Sequence, residues 1–131
     1  MFLATTSLQK YWDINQNILL AGEWCKLFGE DLPKNDNMDI LPFIWSDPKK
    51  KYEAQQYCNI VYEKTLSDLS KILNRINGKN HDIKYYRILF GHWLMYFIHQ
   101  AYDKYKLLLA ARKRGYTNTW CLDESHYIYP D

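Results

Sequence analysis

Two residues hold most of the chemistry this sequence can offer, Glu23 and Arg87. Glu23 stands in Gly22-Glu23-Trp24-Cys25, directly after the apolar run Ile18-Leu19-Leu20-Ala21. A carboxylate there is a candidate functional group, because α/β proteins set their ligand crevices just past the carboxyl ends of parallel strands. The same charge also suits the first turn of a short helix, where the helix dipole favours it. Arg87 is flanked by Tyr85-Tyr86 and Ile88-Leu89-Phe90. A guanidinium among such neighbours either sits at a rim or pairs with a carboxylate or phosphate that its planar fork fits. Cys25 has no histidine near it in sequence and reads as a small buried hydrophobe rather than a nucleophile. His92 and His99 lie one heptad apart, about 10 Å along a helix axis, too far to chelate one metal directly. The stripe Tyr85, Ile88, His92, Met95, His99 and Tyr102 reads as a hydrogen-bonded core face. Neither glycine-rich phosphate fingerprint, GxGxxG or GxxxxGK followed by Ser or Thr, occurs.

The elements that must position these groups can be read from pattern. The chain has 131 residues, enough for one domain with a real core. Its 47% hydrophobic and 17% aromatic content argues against disorder. A net charge of +2 is too balanced to imply nucleic acid. Three scattered cysteines with no CxxC pair argue against a disulfide framework or a metal site and suit a reducing, cytoplasmic compartment. The longest apolar run, Ile88 to Ile98, is about half of what a membrane span needs.

Phe2-Leu3-Ala4 and Ile18 to Ala21 predict two buried parallel strands, joined by a short helix that Thr6 or Ser7 would cap. Gly29 to Asp39 predicts a surface loop, and Ile40 to Trp45 an extended segment burying Ile44 and Trp45. Asp47-Pro48 is a helix start, and apolar residues from Cys58 to Ile76 recur at three- and four-residue spacing up to Asn77-Gly78. A second helix follows from Asp82 to Gly115, apolar nearly all round between Tyr85 and Tyr102. Such a helix must be covered on most sides. Gly91 in its middle either lets another group approach closely or is incidental. Tyr116 to Leu122 predicts a third strand, with Asp123-Glu124 at its end, before Pro130-Asp131 close the chain.

The expected fold is α/β, with short parallel strands and a long antiparallel helical hairpin. Its parts are a strand-helix-strand unit over 1–28, the hairpin over 47–115 and a terminal strand over 116–122, all within a single domain or fragment spanning 1–131.

The stretches FLATTSLQKYWD, ILLAGEWC and YYRILFGHWLMYFIHQAYDKY, with His81-Asp82 more weakly, resemble the N-terminal region of a bacterial transferase family found in surface-carbohydrate gene clusters. The resemblance implies an incomplete N-terminal part of a larger glycosyltransferase-like protein. That protein would act in surface-polysaccharide biosynthesis and would be inactive as this piece alone. The matching positions are Thr5, Thr6, Trp12, Gly22, Glu23, Trp24, Cys25, Asn80, Arg87, Gly91, Trp93 and Leu94. His92 departs from the family, which has proline there. Glu23, Arg87, Thr5, Thr6, Trp24 and His92 become candidates for a substrate pocket, with no catalytic residue assigned, no metal, and no cofactor held by this chain. A nucleotide-sugar donor belongs to the longer protein. The partner implied is the rest of that protein, or another protein covering the 85–102 helix. A peripheral contact with the inner membrane face is compatible with the lysines and arginines that follow. The alternative is a non-catalytic helical module for protein interaction.

Overall fold

The computed structural model describes residues 1–26 and 37–121. The chain divides into two compact units, Met1–Ile44 together with the chain from Leu107, and Trp45–Lys106.

The first unit is built on strands β1 (Phe2–Ala4), β2 (Ile18–Leu20), β3 (Met38–Ile40) and β4 (Asn118–Thr119). They form one sheet in the order β3-β2-β1-β4, every neighbouring pair parallel. Phe2 faces Ile18 and Asn118, and Ile18 faces Met38. Parallel strands are covered on both faces, which is why β1 and β2 are continuous apolar runs with no polar alternation. All six of their residues are buried, with Leu19 and Leu20 fully so. Trp12, Cys25, Leu41, Leu107 and Ala111 complete that core. The β1–β2 connection holds only one 3-10 turn, Gln9–Tyr11, in place of the capped short helix that the pattern predicts. Thr6 bonds locally instead, its Oγ1 accepting from the Leu8 N–H at 3.2 Å.

Two further expectations change here. Met38 and Asp39 fall in the predicted loop and Ile40 opens the predicted segment across the helices, yet all three pair with β2. The signal is weak because only two of the three are apolar. The part of the predicted loop from Gly29 to Asp36 lies outside the described residues. The strand after the second helix is shorter than the expected Tyr116 to Leu122, and Leu122, Asp123 and Glu124 also lie outside the described residues.

The second unit is helical. Helix α1 (Pro48–Asn77) starts where Asp47 accepts from the Lys49 N–H and stops at left-handed Gly78, φ 59°. Asn74 then clamps the turn that follows. Its amide exchanges two hydrogen bonds with the His81 backbone, and its Oδ1 also accepts from the Tyr86 hydroxyl at 2.6 Å. Helix α2 (Ile83–Tyr86) is capped by Asp82. It runs through a π-helical turn, Arg87–Gly91, into α3 (His92–Lys113).

Tyr62, Leu66, Tyr86 and Leu94 form the core of this unit, with Phe90 and Ile98 packed against it. That is a correction to the expected core face. Tyr86, Phe90, Leu94 and Ile98 point inward, whereas Tyr85, Ile88, His92 and Met95 are exposed. A helix that is apolar all round offers several equivalent stripes, and the π-turn shifts the phase between its two halves, so spacing alone could not select one.

Candidate functional site

The strand order places one crevice. From β1 the chain moves to β2 and on to β3 in one direction, while β4 lies on the opposite side of β1. The order thus reverses at β1, whose chain leads away to β2 while β4 is added on its other side, and open parallel sheets take ligands beyond the carboxyl ends of the strands at such a reversal. A cavity of about 300 Å³ lies there, lined by Thr5, Thr6, Leu8, Tyr11, Trp12, Trp120 and Cys121 beyond the strand residues themselves.

Its walls are held from several directions. Trp12 Nε1 donates to the Thr6 carbonyl at 2.8 Å, fixing the chain just past β1. The Thr119 hydroxyl donates to the Leu3 carbonyl at 2.8 Å, tying β4 to β1. The Tyr11 and Trp120 rings stack with centroids 4.1 Å apart and planes within 17°, and the Lys10 ammonium lies 4.7 Å from the Tyr11 ring centre. The lining therefore offers hydroxyls, main-chain groups and an aromatic wall. Among the described lining residues there is no carboxylate, imidazole or ammonium. A general base must come within about 2.6–3.2 Å of the proton it takes. The cleft as lined can bind and orient a ligand, and its only proton-exchanging side chains among the described residues are hydroxyls and the Cys121 thiol.

Glu23 and Trp24 sit at the same edge of the sheet, on a 3-10 turn (Glu23–Cys25) just past β2, but do not line the cavity. Glu23 is exposed and paired with Lys26 at 2.9 Å. Trp24 is half exposed and lies over Gly22, where an added Cβ would fall 2.6 Å from the indole nitrogen. Cys25 is buried, its thiol donating to the Ala4 carbonyl at 3.3 Å, which joins the turn after β2 to the end of β1.

Arg87 and His92 belong to the helical unit. Arg87 donates to both carboxylate oxygens of Glu63, each at 2.8 Å, and to the Tyr62 hydroxyl at 3.4 Å. This fork raises the arginine above its ordinary value and holds the Glu63 carboxyl below its own, in both cases chiefly through the shared hydrogen bonds. Of the partners the sequence allowed for Arg87, the one present is a carboxylate. Gly91 closes the π-turn because a Cβ there would sit 2.7 Å from the Tyr62 hydroxyl. The glycine thus makes room for that group. His92 follows it, exposed to solvent.

Of the residues singled out in the sequence, Thr5 and Thr6 line this cavity while Glu23, Trp24, Arg87 and His92 do not, and Tyr11, Trp120 and Cys121 line it without having been singled out. Tyr11 and Trp120 lie more than a hundred positions apart, and only the β1–β4 pairing brings them together. Glu63 and Tyr62 are equally hidden, being one exposed acid and one tyrosine on a long helix.

Among the described residues no cluster of His, Cys, Asp or Glu could hold a metal ion, and no helix is long and apolar enough to cross a membrane. No curated protein and no solved structure matches the chain. The family model described as LIC12162 family transferase matches residues 1–131. With that match covering the whole chain, including the crevice beyond β1 and β4, the protein belongs to the LIC12162 family of transferases.

Proposed function

We propose that this chain is an N-terminal part of a sugar-transferring enzyme of surface-polysaccharide biosynthesis. In this reading the crevice past β1 and β4 holds part of the donor or acceptor. The observation that carries it is the position of that cavity, at the reversal of strand order in a transferase-family chain. Because the described lining has hydroxyls and an aromatic wall but no carboxylate or imidazole, it suits a ring of the ligand better than the reacting bond. The chemistry then depends on groups from elsewhere, with Glu23 the nearest carboxylate in the sequence after a strand end. The chain alone is therefore expected to bind and not to turn over.

The helical segment fits an antiparallel hairpin, which the pairs Asn74 with Tyr86 and Tyr57 with Tyr102 support. On this reading the protein works at the cytoplasmic side, with a nucleotide sugar as donor.

Adding nucleotide sugars and acceptor glycans to the isotopically labelled chain tests this directly. Thr5, Thr6 and Trp120 resonances should shift with one of them, and Thr6→Val should weaken that binding by roughly threefold to tenfold, the worth of one neutral hydrogen bond. Absence of any shift in those residues across both ligand sets would remove the proposal.

A second reading has its own observation. Ile88, Leu89, Trp93, Tyr96 and Phe97 are more than half exposed, and Trp93 stacks on Phe97 at 5.4 Å. A contiguous apolar surface of this kind marks interaction sites, so a non-catalytic role in holding a protein partner accounts for it. The two readings separate when Trp93→Ser abolishes partner capture without touching ligand shifts at Thr5 and Thr6.

A further inference from the structure

The outer side of α3 is apolar, aromatic and without carboxylates, and that combination selects what lies against it. With Leu94 and Ile98 turned to the core, the opposite side of the helix presents Trp93, Tyr96, Phe97 and Gln100, all exposed. Ile88 and Leu89 lead into it from the π-turn, and Ile88 keeps 88% of its surface open to solvent. A side chain that open stands on a convex ridge, not in a groove. Trp93 and Phe97 stack with their planes within 17°, so the middle of the ridge is a flat hydrophobic plate.

Charge separates the occupants such a ridge could take. Between Asp82 and Asp103 the sequence has no aspartate or glutamate, while Lys84 and Arg87 lie within that stretch. Lys84 is exposed two positions before inward-facing Tyr86, which puts it on the outer side, and exposed Lys104 follows seven positions after Phe97 on the same side. The two lysines thus stand at the ends of the apolar stretch, about 30 Å apart. The unit Trp45–Lys106 as a whole has eleven lysines and arginines against six aspartates and glutamates. Most of those acids are engaged: Asp47 and Asp82 cap helices, Glu63 is in the Arg87 fork, and Asp103 accepts from Trp45. Two copies meeting through this ridge would bring like charges together, which disfavours a second copy. Tryptophan and tyrosine beside a buried apolar strip, with lysines whose stems reach past it, are the composition of a helix lying in a membrane interface. No described helix is long and apolar enough to cross a membrane, so the contact runs along the surface.

We propose that the outer side of this helix, from Ile88 to Phe97, docks on a lipid surface bearing anionic headgroups. Ile88, Trp93 and Phe97 insert below the headgroups, and Lys84 and Lys104 pair with the phosphates at either end. Binding here is independent of what the crevice past β1 holds.

Co-sedimentation of the full chain with vesicles of phosphatidylcholine alone, and of phosphatidylcholine mixed with phosphatidylserine, tests this. The mixed vesicles should bind the chain at least roughly fivefold tighter than the neutral ones, and Lys84→Ala should weaken that binding roughly fivefold, the effect of one cation near an anionic surface. Ile88→Ser combined with Phe97→Ser should weaken it roughly tenfold or more through lost apolar insertion. Thermal unfolding of the double variant should change little, because both side chains are exposed. If the double variant bound as tightly as the natural chain, charge alone would hold the protein to the vesicle and the proposal would be overturned. Equal binding to neutral and mixed vesicles, or binding to neither, would overturn it too. A defined protein complex that Phe97→Ser breaks, formed by a chain that binds no vesicle, would assign the ridge to a protein partner and have the same result.

Discussion

In the sheet unit, β1 and β2 offer six residues and every one is buried. In the helical unit, the thirty residues of α1 bury only Cys58, Tyr62, Leu66 and Ser70. The facing segment leaves Ile88 at 88% exposure and Tyr96 at 64%. The difference follows from geometry. A parallel strand is enclosed from both faces and by its neighbours, so each of its side chains meets protein. A helix packed on one neighbour encloses a single stripe, however apolar its remaining surface. Apolar content therefore reports burial faithfully in the sheet unit and poorly in the helices.

The largest expected effects come from cutting into either core. Leu19→Ala and Leu66→Ala each remove a fully buried side chain and should cost about 2–5 kcal/mol in urea unfolding. Ile88→Ala, an equally apolar deletion, should stay within about 0.5 kcal/mol. If Ile88→Ala matched the other two, the contrast between the units would collapse.

An intermediate effect is expected at the π-turn. Gly91→Ala gains helix propensity of about 1 kcal/mol but drives a methyl into the buried Tyr62 hydroxyl at 2.7 Å. Overpacking costs about 1–3 kcal/mol, so the net change should be destabilising. Tyr62→Phe removes the obstructing atom, and in that background the alanine should become neutral or favourable. A double-mutant cycle by denaturation reads the coupling directly.

The smallest effect concerns the surface fork. Glu63 has an ordinary value near 4.5 and is held below it by Arg87 when folded. A carboxylate depressed on folding contributes stability that is complete above its unfolded value and is lost as pH falls through the folded one. Stability should therefore drop slightly more steeply below about pH 4.5 in the natural chain than in Glu63→Gln, as thermal melts across that range would report.

What can be read from the residues tracks the same contrast. Strands β1 and β2, the limits of α1 and its cap at Asp47 are legible, because each rests on local pattern. Strand β3 is not, since Met38-Asp39-Ile40 has a charge at its centre and becomes a strand only by pairing with β2. Thr5 and Thr6 can be singled out, but their cavity depends on which side of β1 receives β4, and no local signal records that. Arg87 is conspicuous because its neighbours are apolar, whereas its partner Glu63 lies 24 positions earlier on an ordinary polar surface.

The turn from Arg87 to Gly91 carries a consequence for every residue downstream. A π-turn is wound with one residue more than an α-turn would need. Wound instead as an even α-helix, the same residues would swing the remainder by roughly 100° and take Leu94 away from Tyr62 and Leu66, whereas excising Leu89 would flatten the bulge and leave that half facing as it does. The azimuth of the whole second half of this helix is thus fixed by a single supernumerary residue, opposite a tyrosine whose hydroxyl leaves space for nothing larger than hydrogen.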